Sequence, residues 1–308
     1  MWTEGRVSVV VVTHNKRRQL LHTLESLRSL PGRRPIIVID NGSVDGTAAA
    51  IAEQFPSVLL IRARRNLGAA ARNIGVAYVH TPYIAFCDDD MQWEAGALER
   101  AVAMLDASPD VAVLNACVQI GPTRSLSPAC VAMAQSPLSR ECLPGPQLLD
   151  FMAGACVMRT RAFYDVGGYW PPFFLGGEEA LMALDMVERG WRIVYADDVV
   201  SRRFPARPAS VRGDERLRIR NDIWVAWMRR PLRPAWRKTC EQLGNARLRG
   251  IFWRTLADAA IGLPRALRQR RVISPAVENM RALLDTVPAD LSSSLVSVIN
   301  PAQKHHSV

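Results

Sequence analysis

Apolar residues near the start of the chain form one short continuous run, followed by a helical repeat. The run at residues 7–12 (VSVVVV) is rich in β-branched residues, which is typical of a strand buried on both faces. Between residues 16 and 30, leucines recur three and four positions apart, and this spacing predicts an amphipathic helix. Pro31 and Gly32 end that pattern.

The alternation of strand and helix continues to residue 118. The pattern predicts strands at 36–39, 58–61, 83–86 and 111–118, and helices at about 47–55, 68–79 and 95–106. Short connections of this kind imply a Rossmann-like α/β fold, with a mostly parallel sheet covered by helices. Residues 121–150 predict an irregular excursion. Order returns with a helix at about 178–189 and a strand at 192–195.

Polar clusters follow three of the predicted strands. They are residues 13–15 (THN), 40–43 (DNGS) and 88–90 (DDD). Ligands of open parallel sheets bind at the carboxyl ends of the strands. The sequence therefore predicts a ligand site where these three clusters meet.

The composition is that of a globular protein. Hydrophobic residues make up 49% of the 308 residues and charged residues 22%, which excludes extensive disorder. No apolar run approaches the ~20 residues of a membrane span and the N-terminus lacks a secretory hydrophobic region, so we expect a soluble, cytoplasmic protein. The six cysteines include no C-x-x-C pair and predict free thiols. No histidine lies between residues 81 and 304, which argues against a histidine-rich zinc site.

Charge is distributed unevenly along the chain. Residues 1–200 contain 18 Lys and Arg against 21 Asp and Glu, a net charge of −3, whereas residues 201–282 contain 20 against 6, a net charge of +14. We therefore expect a domain over residues 1–205 and a basic helical extension with a flexible tail over residues 206–308. A basic segment favours an anionic partner, which can be lipid headgroups, nucleic acid or a phosphorylated substrate.

Two of the polar motifs have both a structural and a functional explanation. The carboxylate of Asp40 can serve a glycine turn, or it can accept a hydrogen bond from N3–H of uracil or thymine, which cytosine lacks. Taken alone, turn chemistry is the simpler explanation. The segment 66–73 (NLGAAARN) can be helix packing, or a place where a ligand approaches the backbone within reach of Arg72 and Asn73.

The triplet Asp88, Asp89 and Asp90 is the sharpest chemical feature. Adjacent carboxylates repel one another and require a neutralising group. The N-terminus of the helix predicted at 95–106 could supply part of this. A hard divalent cation, Mg²⁺ or Mn²⁺, is the better solution because it takes carboxylate oxygens together with substrate phosphates. Since alternate strand residues share a face, Asp88 and Asp90 are the expected metal ligands.

A second acidic motif, GGEE at residues 176–179, begins another predicted helix. Glu178 and Glu179 can simply complement the helix dipole, which is a common surface arrangement. Alternatively, one of them is a general base carried by the glycine loop. In isolation the motif favours the first explanation.

Together these motifs resemble those of the family 2 glycosyltransferases, which have the GT-A fold. The resemblance covers about residues 6–203. It rests on the segments 7–15 (VSVVVVTHN), 39–47 (IDNGSVDGT), 66–73 (NLGAAARN), 86–90 (FCDDD), 154–160 (GACVMRT), 166–169 (VGGY) and 173–179 (FFLGGEE). Each segment is weak alone, but seven in the right order and spacing make a strong match.

The resemblance implies an inverting hexosyl- or deoxyhexosyltransferase. The expected donor is a nucleotide-diphosphate sugar, with UDP or dTDP favoured. The expected acceptor is a hydroxyl group, either free or lipid-linked, in cell-surface polysaccharide, glycolipid or glycoconjugate synthesis. The nucleotide-binding half would span residues 1–120 and the acceptor half residues 121–205.

The resemblance also implies roles for individual residues. Mg²⁺ or Mn²⁺ would be held by Asp88 and Asp90, and Glu179 would be the general base, with Glu178 as the alternative. The expected donor-binding residues are Thr13, Asn15, Asp40, Asn41, Gly68, Arg72, Asn73 and Asp89. An inverting transfer needs a base to take the proton of the acceptor hydroxyl and a cation on the leaving diphosphate.

The chain departs from the family pattern at two places. Many members follow the base with a second Asp and an Arg, where this chain has Leu181 and Asp185. Many also have a His near residue 200, where this chain reads VSRR at 200–203. Arg202 or Arg203 could pair directly with a diphosphate and reduce the dependence on a metal.

The segment 223–230 (IWVAWMRR) in the basic extension also has two explanations. It can pack on the domain, or it can make peripheral membrane contact on the cytoplasmic face, where Trp and Arg lie among headgroups. Two other functions fit the sequence less well. The GGEE loop and the lack of a lysine-rich N-terminal phosphate loop argue against a nucleotidyltransferase. A nucleic-acid-binding protein would need a nucleic-acid motif that the basic segment lacks.

Overall fold

The computed structural model describes residues 5–204 and 211–286, without the side chains of residues 211–214. The strands are β1 (Val7–Thr13), β2 (Ile36–Asp40), β3 (Leu59–Arg62), β4 (Tyr83–Asp88), β5 (Met91–Trp93), β6 (Val111–Ile120), β7 (Ser125–Leu126), β8 (Ala155–Arg159) and β9 (Arg192–Arg203). The helices are α1 (Arg17–Ser29), α2 (Thr47–Gln54), α3 (Ala71–Val76), α4 (Ala97–Ala107), α5 (Pro128–Ala134), α6 (Thr160–Val166), α7 (Glu178–Glu188), α8 (Val211–Arg229), α9 (Leu232–Leu248), α10 (Phe252–Arg268) and α11 (Pro275–Asp285). The tail predicted to be flexible lies largely at 287–308, outside the described residues.

One sheet of nine strands, counted over the described residues, organises the fold. Its strand order is β3-β2-β1-β4-β8-β6-β9-β5, with β7 paired to β6. The first four strands are parallel neighbours, and β6 and β9 also pair in parallel. β8 runs antiparallel between β4 and β6. The predicted α/β fold with a Rossmann-like half is confirmed.

Strand register brings the polar clusters to one edge of the sheet. Thr13 is paired with Asp40 across β1 and β2, and Val12 is paired with Asp88 across β1 and β4. The strands behind these ends are buried, as the apolar run at 7–12 predicted, because helices cover both faces. The functional side chains therefore project from a well-packed core.

Several elements differ from their prediction. The helix expected at 68–79 is a short 3₁₀ turn followed by α3, which ends at Val76. Strand β9 continues to Arg203, well beyond residue 195, because β6 and β5 pair with its second half. The exposed residues Asp197 and Asp198 concealed this continuation, and they lie at a register shift where β9 bulges away from β6.

The C-terminal helices pack against the sheet domain through α8. Within the segment 223–230, Ile223, Trp224 and Met228 are buried. Arg229 pairs with Asp185 of α7, and Arg230 pairs with Glu278 and Asp285. The packing explanation of this segment is therefore the one observed. Throughout the described part of the chain, no helix has both the length and the apolar character required to cross a membrane.

Candidate active site

Asp89 lies in a buried hydrogen-bond network. Thr13 Oγ1 donates to Asp89 Oδ2 at 2.9 Å, and Lys16 Nζ lies 2.8 Å from Oδ1. The hydroxyl of Thr23 donates to the backbone carbonyl of Asp89 at 2.9 Å. Burial raises the pKa of Asp89 to about 6, against the opposing attraction of Lys16. Asp89 thus fixes β1 and α1 to the end of β4, with both carboxylate oxygens engaged.

Asp88 is the more accessible member of the triplet. Its side chain is 36% exposed, and its Oδ1 lies 3.0 Å from Arg72 Nη2. Gly154 packs closely behind it, because a Cβ at that position would lie only 2.1 Å from Asp88 Oδ2. The carboxylate lies between the guanidinium of Arg72 and the backbone at Gly154, where a larger residue would clash. Its remaining side is open to a ligand.

Asp90 is buried, and only one of its two carboxylate oxygens has a partner. Arg203 Nε lies 3.1 Å from Asp90 Oδ2. Asp90 Oδ1 is buried and has no hydrogen-bond partner among the described residues. A buried carboxylate oxygen without a partner is costly, and it fits a site completed by a cation. Two carboxylates that each retain a free side suit the oxygen preference of Mg²⁺ or Mn²⁺.

The two arginines at the end of β9 have different environments. Arg202 is paired with Glu94 at 2.7 Å, whereas Arg203 reaches the acidic triplet. Although burial acts to lower it, the pKa of Arg203 is raised by the charges of Asp90 and its two neighbours. Arg203 is therefore the arginine positioned at the acidic strand end.

Asp40 performs the turn chemistry that the glycine motif predicted. It is 1% exposed, and its Oδ1 accepts the backbone N–H of Ser43 at 2.9 Å. Its Oδ2 faces Arg62, with Nε at 3.7 Å. Asn15, which has a left-handed φ of 53°, supports the same turn by accepting from the N–H of Val44. One oxygen of Asp40 is thus committed to the turn, and the other is not hydrogen-bonded at this distance.

Asn41 and Asn73 organise the protein around the pocket. The amide of Asn41 accepts from Leu67 N at 2.8 Å and donates to Gly68 O at 3.2 Å. The amide of Asn73 donates to Tyr169 O at 2.8 Å and accepts from Tyr169 N at 2.9 Å. Both side chains were predicted to bind the nucleotide-sugar, and in the structure both are engaged by backbone groups.

The close backbone approach predicted at Gly68 is made by the protein itself. Gly68 has a φ of +61°, and a Cβ there would lie 1.9 Å from Phe174 O. The N–H of Ala69 donates to that same oxygen at 2.7 Å. The loop that precedes Glu178 crosses this point, and this contact requires glycine at position 68.

The loop before Glu178 contains an uncommon turn. Phe174 has φ 64° and ψ −59°, and Leu175 N donates to Phe173 O at 2.8 Å. These values describe a classic γ-turn, which is rare and strained for a residue with a side chain. Gly176 and Gly177 follow with φ of 84° and 82°. We call residues 173–177 the base loop.

Glu178 and Glu179 begin α7 in different surroundings. Glu178 is 4% exposed, and its Oε2 has no hydrogen-bond partner among the described residues. Glu179 is partly exposed. Burial raises the pKa of both, and repulsion from Glu178 and Asp150 raises that of Glu179 further, to well above its usual range. A carboxyl with a raised pKa that substrate can reach has the properties of a general base.

Arg72 connects the two acidic groups. Burial acts to lower its pKa, but attraction to Tyr169, Asp88, Glu179 and Glu178 raises it above the usual value. Its guanidinium carbon also lies 5.5 Å from the centre of the Tyr169 ring. One buried cation therefore interacts with the carboxylate at the end of β4 and with those at the start of α7, which places both acidic groups around one site.

Helix α8 binds the base loop through hydrogen bonds and ring packing. Asn221 is fully buried, and its Nδ2 donates to the carbonyls of Phe173 at 2.9 Å, Leu175 at 3.0 Å and Gly176 at 2.5 Å. The Trp224 ring stacks on that of Phe173, with centroids 6.3 Å apart. A single side chain from α8 thus satisfies most of the carbonyls of a strained loop.

Replacing Asn221 with alanine is expected to lower kcat about 10²-fold while the KM for the donor stays near wild type. The carbonyls of the base loop would lose their donor, and a displacement of about 1 Å at a reacting group is enough for a loss of this size. Steady-state kinetics at varied donor concentration would measure it. Gln242→Ala, which removes another buried amide of the same helical bundle, is the matched control. Equal losses in the two variants, or a change in donor KM alone, would contradict a positioning role.

Sequence reasoning missed or left undecided four residues of the site, which are Lys16, Tyr169, Arg203 and Asn221. Lys16 follows the 13–15 cluster directly, and a cation at this strand end is a signal that could have found it. Asn221 had no local signal, because it lies more than forty residues after the loop it holds. His14, which was left unassigned, donates through Nδ1 to Asn41 O at 2.9 Å and holds the same strand-end network together.

Comparison with known proteins agrees with this geometry. Residues 8–167 match the family described as glycosyl transferase family 2. The chain belongs to glycosyl transferase family 2. The matched span runs from β1 to the end of α6, and it includes all of the predicted donor-binding and metal-binding residues. Glu178 and Glu179 lie beyond it.

Two known glycosyltransferases illustrate the likeness in sequence. The N-acetylglucosaminyl-diphospho-decaprenol L-rhamnosyltransferase of Mycobacterium tuberculosis is 28% identical over 230 residues, which cover 61% of this chain and 72% of the relative. The glycosyltransferase AglE of Haloferax volcanii is 25% identical over 237 residues, covering 72% and 74%.

Solved glycosyltransferase structures share the fold. S. aureus TarS 1-349, in complex with UDP-GlcNAc, aligns with a TM-score of 0.60 at 16% identity, covering 96% of this chain and 90% of that one. The mannosyltransferase PcManGT from Pyrobaculum calidifontis, in complex with GDP-Man and Mn²⁺, aligns with a TM-score of 0.53 at 19% identity, covering 97% and 90%. The GT-A fold implied by the sequence motifs is confirmed.

Proposed function

We propose that this glycosyltransferase inverts the anomeric centre as it moves a sugar from a nucleotide-diphosphate sugar to a hydroxyl acceptor. The observation that carries the proposal is the arrangement around Arg72. The accessible carboxylate of Asp88 at the end of β4 and a carboxyl pair of raised pKa at the start of α7 interact with this one guanidinium. In-line displacement requires the general base on one side of the sugar and the groups that stabilise the leaving diphosphate on the other.

Glu179 is the proposed general base. It is partly exposed, whereas Glu178 is buried. Burial and the neighbouring Glu178 raise its pKa, and a more basic carboxylate accepts a proton more readily. The acceptor hydroxyl would lose its proton to Glu179 as its oxygen bonds to the anomeric carbon and the diphosphate departs. Glu178 supports this role because its proximity raises the pKa of Glu179.

Asp88 and Asp90 are the residues proposed to hold Mg²⁺ or Mn²⁺. Within the described ranges no group of three or more His, Cys, Asp or Glu side chains is arranged to hold a metal, so the remaining ligands would be diphosphate oxygens. The cation would stabilise the negative charge that develops on the leaving diphosphate. Solved neighbours crystallised with Mn²⁺ support the same choice. Arg203 and Arg72 add fixed positive charge on this side.

The proposed sugar and acceptor rest on one relative. The mycobacterial relative is named for transfer of L-rhamnose to a diphospho-decaprenol-linked N-acetylglucosamine. We infer a deoxyhexose donor and a lipid-linked acceptor in cell-envelope synthesis, with the enzyme peripheral to the cytoplasmic face of the membrane.

Release of nucleoside diphosphate tests the proposed function. UDP-, dTDP- and GDP-sugars, including dTDP-rhamnose, would be incubated with the full chain, a divalent cation and a lipid-linked N-acetylglucosamine acceptor. Acceptor-dependent release from at least one donor is the expected result, and the product should have the inverted anomeric configuration by NMR. A product that retains the donor configuration would overturn the inverting assignment.

UDP and dTDP are expected to inhibit better than CDP. Asp40 Oδ1 is occupied by Ser43, but Oδ2 can accept from the N3–H of uracil or thymine, and cytosine offers no such donor. Losing one charge-assisted hydrogen bond is worth about 1.5–3 kcal/mol, or roughly 10–100-fold in affinity. Competition against the active donor would measure the ratio, and equal inhibition by CDP would remove the proposed contact.

A further inference from the structure

We propose that the exposed face of α10 docks on the surface of an anionic membrane. The opposite face of α10 is the packed one. Trp224 Nε1 donates to the carbonyl of Ala259 at 2.9 Å, and a Cβ at Gly262 would lie 1.9 Å from the Trp224 ring. The helix is therefore held firmly to α8, and its outer face is fixed in orientation.

The outer face carries large apolar side chains. Trp253 is 78% exposed and Ile261 is 80% exposed. Residues spaced three and four apart share one side of a helix. On this side lie Trp253, Ala257, Ala260, Ile261, Pro264 and Leu267, all of them exposed. We call these six residues the α10 stripe. Single exposed apolar residues are ordinary, but a continuous stripe over four turns marks an interaction surface.

Positive charge accompanies the stripe. Arg254 and Arg268 are exposed beside it. The only acidic residue of α10, Asp258, is paired with Arg216 at 3.2 Å. The C-terminal end of α9 adds Leu248, which is 88% exposed, between Arg247 and Arg249. An exposed Trp with arginines at its flank matches the headgroup region of a bilayer, and the excess positive charge selects anionic lipids.

The location of the stripe suits the proposed reaction. α10 packs on Trp224, Trp224 stacks on Phe173 of the base loop, and the base loop leads into Glu179. Docking through the stripe would hold this connected unit at the membrane, where a lipid-linked acceptor is presented. In this respect alone the inference rests on the proposed function.

The docking surface differs from the one that the sequence suggested. The segment 223–230 combines Trp and Arg, yet it is packed inside the protein. The α10 stripe is exposed instead, and the one-dimensional sequence pattern does not reveal it, because that helix is apolar on two opposite sides.

Vesicle co-sedimentation of the full chain, without donor or acceptor, tests the inference. The wild-type protein is expected to bind vesicles of phosphatidylcholine mixed with phosphatidylglycerol, and to bind pure phosphatidylcholine much less. The double variant Trp253→Ala/Ile261→Ser should bind the mixed vesicles roughly 10–100-fold more weakly, because apolar area would no longer enter the interface. Arg254→Gln/Arg268→Gln should weaken binding about thirtyfold, since each basic residue near the surface contributes ~1 kcal/mol.

Tyr78→Ala is the control, because it removes an aromatic side chain that is 49% exposed on the sheet domain. It should bind as the wild type does. Unchanged vesicle binding in the Trp253 double variant would overturn the proposal. So would sedimentation showing a wild-type dimer that this double variant dissociates while vesicle binding persists, because the stripe would then contact a second copy. Since vesicle binding involves no turnover, its failure would leave the proposed transferase activity standing.

Discussion

Glu179→Gln is expected to lower kcat by about 10²–10⁴, with donor affinity close to that of the wild type. Glutamine keeps the size and the hydrogen bonding of the side chain, but it cannot accept a proton from the acceptor hydroxyl. The measurement is nucleoside diphosphate release at saturating donor and excess acceptor, together with donor binding by calorimetry.

Glu178→Gln is the matched control for Glu179→Gln. Glu178 is buried, whereas Glu179 is partly exposed, so substitution of Glu178 should reduce kcat much less. It should also move the acidic limb of the pH–rate profile to lower pH, because the repulsion that raises the pKa of Glu179 would be gone. If Glu178→Gln is inactive and Glu179→Gln is near normal, the base is Glu178. If both keep full rate, the inverting assignment fails.

Asp90→Asn is expected to weaken the stimulation of donor binding by Mn²⁺ by tenfold or more. Even the residues that only support metal ligands typically change affinity by about 10–100-fold. The neutral amide would replace the unpartnered oxygen, and it would also leave Arg203 without its charged partner. Calorimetric titration of UDP or dTDP, with Mn²⁺ and with a chelator, would measure the loss.

Glu94→Gln is the control for Asp90→Asn, because it neutralises the neighbouring ion pair with Arg202 instead. It should retain the response to Mn²⁺. Asp88→Asn should behave like Asp90→Asn if the two carboxylates share one cation. Donor affinity that is insensitive to both Asp substitutions and to chelator would show that Arg203 and Arg72 neutralise the diphosphate without a metal.

The parts of the fold that follow from local pattern were predictable. The run at 7–12, the leucine repeat and the polar strand ends each express a rule that operates over a few residues, and parallel pairing then brings those ends together. Strand β8 was not predicted, since its five residues carry no alternation and are defined by two antiparallel neighbours. The second half of β9 was also missed, because two aspartates at a bulge interrupt its apolar pattern.

The site was predictable in its residue types and less so in their contacts. The sequence identified carboxylates at the end of β4 and at the start of α7, but it did not show that Arg72 interacts with both. It also assigned Gly68, Asn41 and Asn73 to the donor, whereas their contacts in the structure are to backbone groups of the protein. Such roles depend on segments distant in sequence, and no local spacing reports them.

The carboxyl pair at the start of α7 has a consequence for stability. A carboxyl with a raised folded-state pKa binds its proton more tightly when folded, so its contribution to stability is present at low pH and is lost as the pH rises from about 4.5 through the folded-state pKa. Above pH 4.5 the fold therefore carries a cost, because it holds Glu178 and Glu179 where ionisation is less favourable than in water. A screen that rewarded heat resistance alone would tend to replace these glutamates, and it would remove the proposed catalytic base along with the strain.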